Sequence, residues 1–142
     1  QRLEQIRLIE RIQDNGMCIL GDREHLVNVL ENLLQNALDA LSQVKDGHFS
    51  PQIVVEIGRE HEWSYFRITD NGPGILKENL HKIFHPFFST KPTRSNWGLG
   101  LTYCHRVVKL HRGFINVKSR PGCGATFEVV LRCRENLNKK PE

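Results

Sequence analysis

The sequence lacks any apolar run long enough to cross a membrane. A spanning helix needs roughly 18 or more consecutive, mostly apolar residues, and no such run occurs among these 142 residues. No secretory signal pattern is present either. Apolar residues make up 39% of the chain and charged residues 25%, which is typical of a globular domain. The sequence therefore predicts one domain of ordinary size with no direct insertion into a membrane.

Cysteine pairs with the spacing of a redox motif or a zinc knuckle are also missing. The four cysteines are Cys18, Cys104, Cys123 and Cys133, and no two of them form a CxxC pair. This pattern predicts reduced thiols in a cytoplasmic domain, with disulfides or zinc as the minor alternative. The chain begins at Gln1 rather than Met, which indicates a piece of a longer protein whose membrane anchor could lie elsewhere.

Acidic residues are scarce in the second half of the chain. Residues 1–80 hold 8 Lys and Arg against 13 Asp and Glu, whereas residues 81–142 hold 12 against 3. A basic half suits nucleic acid, a phosphate-bearing small ligand or an acidic protein. Because no basic run is interleaved with aromatic residues and no zinc-finger spacing occurs, we predict that nucleic acid is not the partner.

An acid stands at the end of an alternating apolar run, followed by two glycines. The run is residues 63–69, and the motif is Asp70-Asn71-Gly72-Pro73-Gly74-Ile75. Residues of one parity share a face of a strand, so Asp70 should point the same way as Phe66 and Ile68, into an apolar space. A buried acid needs a partner, and a ligand with N–H groups would serve. An ordinary turn after a strand is the alternative.

A long amphipathic helix is predicted at about residues 23–45. Asp22 is a good N-cap, and the apolar stripe consists of Leu26, Val29, Leu30, Leu33, Ala37 and Leu41. Asn28, Asn32 and Asn36 recur every four residues beside that stripe, so their side chains should share one face. Asn is a poor helix former, which suggests a functional reason for its repeated use. A solvated polar face is the alternative.

A basic loop leads into a second glycine motif. Residues 89–97 are polar, include Lys91 and Arg94, and are predicted to form a mobile lid. Gly98 and Gly100 then open a helix of about residues 100–111, which leaves backbone N–H groups and the positive end of the helix dipole facing outward. Such an arrangement favours a phosphate group.

The remaining elements follow from alternation and turn residues. Residues 77–84 are predicted to form a short helix, and His81 and His85 near its end would be a poor metal site because no third ligand is placed. Residues 1–12 fit either a strand or a helix, and a strand is favoured. Further strands are predicted at residues 17–20, 52–57, 62–70, 114–120 and 125–131, the last two joined by a glycine-rich turn.

Together these motifs, in this order, closely resemble the catalytic and ATP-binding domain of sensor histidine kinases, within the superfamily that also holds gyrase, Hsp90 and MutL. The resemblance covers about residues 15–132. Its motifs are ENLLQNALDA (31–40), DNGPGI (70–75), FHPFFSTK (84–91), GLGL (98–101) and GCGATF (122–127). The resemblance implies an α/β two-layer sandwich, a Bergerat-type fold in which a mixed β-sheet packs on one layer of helices.

The resemblance also implies a cofactor set, ATP and Mg²⁺, and a role for each site residue. Asp70 would accept from the adenine amino group, with Thr126 supporting that contact through water, and Asn36 would hold Mg²⁺. Asn32 would line the same groove as a second catalytic residue. The other ATP-binding residues would be Gly72, Gly74 and Ile75 at the base, and Lys91, Gly98, Gly100 and Leu101 at the phosphates.

Function is likewise an expectation from the resemblance: transfer of the γ-phosphate to a histidine in two-component signalling. The partners would be a phosphoacceptor hairpin of the same protein, through which it would dimerise, and a response regulator. Residues 1–14 would be a strand or linker from that hairpin, 15–134 the catalytic domain and 135–142 a frayed tail. Two alternatives remain, an ATP-hydrolysing clamp of the gyrase or MutL kind and a nucleotide-sensing module without catalysis.

Overall fold

A computed structural model describes residues 5–13, 18–86, 88 and 100–134. The lid predicted at 89–97 and the tail predicted at 135–142 lie outside the described residues. The helices are α1 (Arg23–Ser42) and α2 (Gly100–Leu110), and the strands are β1 (Arg7–Ile12), β2 (Gln52–Glu60), β3 (Trp63–Asp70), β4 (Phe114–Ser119) and β5 (Ala125–Arg132).

The five strands form one mixed sheet in the order β1-β2-β3-β5-β4. β1 runs parallel to β2, and the other neighbouring pairs are antiparallel. Alternating β-branched and aromatic residues favour these strands. β2 extends beyond the predicted end at residue 57, and the chain reverses at His61, whose φ is 57°. The strand favoured within residues 1–12 is β1, at one edge of this sheet. Of the strand predicted at residues 17–20, the described residues form only an isolated bridge between Ile19 and Cys133.

Both helices cover one face of the sheet. Asp22 caps α1 by accepting from the His25 backbone N–H, as its residue type predicts. The stripe on α1 and one side of α2 pack against the inward residues of the strands, which buries a single apolar core. Its fully or nearly fully buried members include Val29, Leu33, Ile68, Cys104, Val108, Phe127 and Val129. The predicted two-layer α/β sandwich is therefore confirmed.

The helix predicted at residues 77–84 is wrong. Only Lys77–Asn79 form a 3₁₀ helix, and turns carry the chain on to Pro86. The backbone N–H groups of Leu80, Lys82 and His85 each bond the carbonyl three residues earlier, and the N-cap residue, Leu76, makes no side-chain cap. Because no α-helical turn forms, His81 and His85 do not share a helix face.

Among the described residues, no helix combines the length and the apolar character that a membrane crossing requires. All four cysteines are free thiols. Cys104 is fully buried between the helices, where its Sγ donates to the Val29 carbonyl, 3.7 Å away. Burial raises the pKa of this thiol to about 12, so Cys104 is a core residue without thiolate reactivity.

Candidate active site

Asp70 ends β3 on the face that the helices cover. The residue is only 4% exposed, and it is the one charged residue in the buried core of the described chain. Its Oδ1 accepts the Gly72 backbone N–H at 2.9 Å. Ile53 of β2 and Ala125 of β5 flank it in register. The inward direction predicted from strand alternation is therefore what the structure has.

The glycine loop that follows Asp70 is fixed on its β2 side. Asn71 bonds the start of that strand twice, because its Oδ1 accepts from the Gln52 N–H at 2.8 Å and its Nδ2 donates to the Ser50 carbonyl at 2.9 Å. Gly72 lies against α1, where an added Cβ would be 3.3 Å from the carbonyl carbon of Ala40. A glycine allows this approach without any shift of the helix, whereas a Cβ would crowd it.

The asparagines of α1 lie in one row on the helix. Asn32 and Asn36 are half-buried, whereas Asn28 is exposed. Asn32 donates from Nδ2 to the Asn28 carbonyl at 2.8 Å. Ala40 is the next residue in this row, so the row runs from Asn28 to the glycine loop.

The N-terminus of α2 meets the same row. Asp22 at the start of α1 donates its N–H to His111 Nε2, 3.0 Å away, just beyond the end of α2. One and a half turns later, Asn28 donates to the Tyr103 hydroxyl at 3.5 Å. The two helices are therefore antiparallel, and continuing the sequence of contacts brings Gly100 alongside Asn32. The first turn of α2, whose N–H groups cannot find partners within the helix itself, therefore lies beside the asparagine row.

These contacts place three chemically different positions along one helix. The α2 N-terminus lies near Asn32, Asn36 is one turn further on, and the buried carboxylate with its glycine loop lies near Ala40. At 1.5 Å per residue, Asn32 and Ala40 are about 12 Å apart along the axis. The groove therefore runs from helical N–H groups, which favour anions, to a carboxylate that accepts hydrogen bonds.

The other predicted site residues divide into three groups. Ile75 and Leu101 are half-buried and pack against the core, and Gly74 has a φ of 77° that its position requires. Lys91 and Gly98 lie outside the described residues, so their phosphate contacts stay predictions. Thr126 is not brought to Asp70. It pairs with Thr69, their hydroxyls are 3.0 Å apart, and both face away from the helices. Ala125 is the neighbour of Asp70 instead.

Sequence reasoning missed the residues that hold this site in shape. Thr102 donates to the Phe84 carbonyl at 3.0 Å, which ties the start of α2 to the segment ahead of it. Ser119 bonds the glycine loop from 44 residues away. In the sequence, such contacts are indicated only by a polar residue at the end of a strand or helix, and this does not show which residue it will contact.

A cage of protein ligands for a metal is not found within the part of the chain that the structure describes. Magnesium does not need one, because it keeps several waters and takes ligand oxygens from phosphates. Asn36 fits that coordination chemistry by residue type, since an amide carries an oxygen, and it stands on α1 between the α2 N-terminus and the glycine loop.

Comparison with known proteins identifies the family of this chain. Residues 21–135 match the model of the family described as histidine kinase-, DNA gyrase B- and HSP90-like ATPases. The signal transduction histidine-protein kinase AtoS of Escherichia coli is 38% identical over 132 residues, which cover 89% of this chain and 20% of AtoS. The C4-dicarboxylate transport sensor protein DctB of Rhizobium meliloti is 37% identical over 131 residues, covering 92% and 20%.

A solved structure gives the same result for the fold. The mycobacterial sensor histidine kinase MprB superposes with a TM-score of 0.78 at 25% identity, covering 94% of this chain and 85% of that one. The chain spans about a fifth of the length of AtoS and DctB. The predicted family is confirmed: this chain belongs to the histidine kinase-, gyrase B- and HSP90-like ATPases and is an ATP-binding catalytic domain of the sensor histidine kinase type.

Proposed function

We propose that this domain binds ATP with Mg²⁺ and donates the γ-phosphate to a histidine on another domain of its full-length protein. The observation that carries the proposal is the order of groups along α1. The buried carboxylate of Asp70 suits the amino group of adenine, and the α2 N-terminus suits the phosphates. Asn36 lies between them, where its amide oxygen would hold a magnesium ion that would neutralise phosphate charge.

Phosphoryl transfer asks mainly for positioning and charge neutralisation. The attacking nitrogen of the acceptor imidazole would form a bond to the γ-phosphorus while the bond to the β–γ bridging oxygen breaks. ADP leaves with that electron pair, and the imidazole loses its N–H proton to solvent. The residues here orient the nucleotide for that step: Asp70 and its glycine loop fix the base, and the N–H groups at Gly100 and Leu101 receive the phosphates.

Hydrolysis by a gyrase-type clamp fits this site less well. Hydrolysing relatives are expected to hold a glutamate as general base one helical turn before the magnesium asparagine. Here that place is Asn32, whose Nδ2 bonds the Asn28 carbonyl. An amide cannot take a proton from water. Glu31 is exposed and lies about 100° around the helix.

The partners we propose follow from this chemistry. The phosphoacceptor would be a helical hairpin of the same full-length protein, which would also form the homodimer, and a response regulator would receive the phosphate afterwards. The domain itself would act in the cytoplasm, where ATP is available.

Labelling with γ-labelled ATP tests the proposal. The lone chain should label itself negligibly and release little phosphate. Addition of the histidine-bearing hairpin of the full-length protein should give label on one histidine, stable in alkali and lost in acid, as a phosphoramidate is. The same hairpin with that histidine changed to glutamine should stay unlabelled.

Three outcomes would contradict the proposal. Rapid phosphate release by the lone chain, abolished by Glu31→Gln, would place it among the hydrolysing clamps. Acid-stable label on serine or threonine would make it a protein kinase of another specificity. Nucleotide binding with no label on any hairpin histidine would favour a nucleotide-sensing module.

A further inference from the structure

The glycine loop after Asp70 and the turn between β4 and β5 are joined by one serine hydroxyl. Ser119 Oγ accepts the Ile75 backbone N–H at 2.8 Å and donates to the Gly124 carbonyl at 2.7 Å. We propose that Ser119 is a positioning residue for the nucleotide base, because its hydroxyl sets the shape of the loop beside Asp70. This inference rests on the proposed function, since it takes the groove at Asp70 to be the base site.

The strand register places Ser119 close to the proposed base site. Ser119 pairs with Ala125, and Ala125 pairs with Asp70. The three residues therefore form one row across β4, β5 and β3 on the face that the helices cover. Ser119 is half-buried at the end of its strand. Because Ser119 is the last residue of β4, its hydroxyl lies where the strand ends and both loops come within reach.

The two loops meet backbone against backbone around this serine. Gly122 donates its N–H to the Pro73 carbonyl at 2.7 Å. A Cβ at Gly74 would lie 2.1 Å from the Arg120 oxygen, and one at Gly124 would lie 2.0 Å from the Asp70 oxygen. Such close contact fixes the distance between the loops, but hydrogen bonds must fix their relative rotation. Ser119 supplies two of those bonds through one atom.

Deleting the hydroxyl would remove the observed partner of one N–H and one carbonyl at the same time. Both groups are part of the contact between loops, and neither gains a replacement from an alanine methyl. The loop at Ile75 would then sample other rotations, and the backbone that faces the base would lose its fixed position. Ser119 would not touch the nucleotide itself.

Two serine variants and one control test this role. Ser119→Ala removes the hydroxyl, and Ser119→Thr keeps it with a side chain that strands accept. Ser64→Ala is the matched control, because Ser64 is also a half-buried strand serine on the same face, bonded to Cys133 Sγ at 2.9 Å, about 20 Å away along β3. Each chain would be examined by amide hydrogen exchange without nucleotide, by calorimetric titration with adenosine and by urea unfolding.

We expect Ser119→Ala to speed exchange of the Ile75 amide roughly tenfold and to weaken adenosine binding about threefold to tenfold. Ser119→Thr should restore both, and Ser64→Ala should change neither. If Ser119→Ala does not fold, Ser119→Cys carries the same expectation, because a thiol keeps the volume and weakens both bonds.

Unchanged protection of Ile75 in Ser119→Ala would overturn the inference. So would faster exchange with unchanged adenosine affinity, since Ser119 would then be structural alone. Equal loss of adenosine affinity in Ser64→Ala would also overturn it, as the effect would follow global stability. If the parent chain binds no adenosine, the proposed function fails, and the exchange result then reports only on the loop contact.

Discussion

The two faces of the sheet give their carboxylates different surroundings. On the outer face, Arg67 of β3 donates to Glu128 of β5, and Asn116 of β4 donates to the same carboxylate from 3.3 Å. On the inner face, three residues along β3, Asp70 is nearly fully buried and accepts a backbone N–H of its own glycine loop. Glu128 is therefore paired with a side-chain cation, whereas Asp70 accepts a hydrogen bond from the backbone.

The two carboxylates differ in how far they are removed from water, and this difference predicts which of them contributes to ligand recognition. The outer pair is solvated at its edges, with side-chain exposures of 31% for Arg67 and 24% for Glu128, so its contribution to stability is modest. The inner carboxylate is desolvated, and each bond it makes or loses carries more free energy. We therefore expect substitution of the inner carboxylate to change nucleotide binding, and substitution of the outer carboxylate to leave it unchanged.

The largest effect is expected from the glycines that pack against the inner site. Gly122 and Gly124 belong to one turn and have similar φ angles, 78° and 75°. An added Cβ at Gly122 would meet nothing within 4 Å, whereas one at Gly124 would lie 2.0 Å from the Asp70 carbonyl oxygen. Gly122→Ala should cost only the left-handed strain, about 1–2 kcal/mol. Gly124→Ala should cost about 3 kcal/mol or more, because backbone must move.

Urea unfolding of both variants measures this difference directly. Equal losses of unfolding free energy would mean that the turn and the Asp70 loop are not packed as described. Adenosine binding by folded Gly124→Ala should also be weaker than that by Gly122→Ala.

Asp70 and Glu128 give a matched test of the two faces. Asp70→Asn should reduce adenosine affinity roughly tenfold to a hundredfold, because an amide can present a donor where the ligand also donates, and a charge-assisted hydrogen bond of about 1.5–3 kcal/mol is lost. Glu128→Gln makes the same chemical change on the outer face and should leave the affinity unchanged. Calorimetric titration would decide, and equal affinities for Asp70→Asn and the parent would remove Asp70 from the base site.

Asn36 should matter for the metal and little for the base. Asn36→Ala should weaken binding of ATP in magnesium by about tenfold, since one coordinating oxygen is lost. Adenosine, which carries no phosphate, should bind the variant almost as it binds the parent. A similar loss for both ligands would instead make Asn36 a structural residue of α1, on the inner face but outside the chemistry.

The smallest effect is expected from acid at the outer face. Burial alone would raise the pKa of Glu128, but hydrogen bonds from Arg67 and then Asn116 hold it below its ordinary value. A carboxyl with a lowered folded pKa contributes stability that is present above about pH 4–5 and is lost as the pH falls through the folded pKa. Glu128→Gln should reduce the loss of unfolding free energy on acidification by less than about 1 kcal/mol. If unfolding free energy depends on pH in the same way for the variant and the parent, the pair contributes nothing.

Local patterns account for most of what the sequence predicted correctly. The N-cap and the apolar stripe placed α1, and alternation along β3 placed Asp70 on the inner face, because both depend on neighbours within a few residues. The short helix predicted at residues 77–84 failed for the same reason: its apolar spacing suited a helix, but a run of bonds to the carbonyl three residues earlier formed instead.

The sequence by itself therefore determined both long helices, most of the strands, the family and the direction of Asp70. Tertiary structure alone decided which residues stand beside it. Strand register made Ala125 the neighbour of Asp70 and turned Thr126 to the other face. The packing of two loops brought Ser119 to Ile75. Those partners lie tens of residues apart in the chain, and their pairing depends on the register and packing of the whole sheet, which no local pattern encodes.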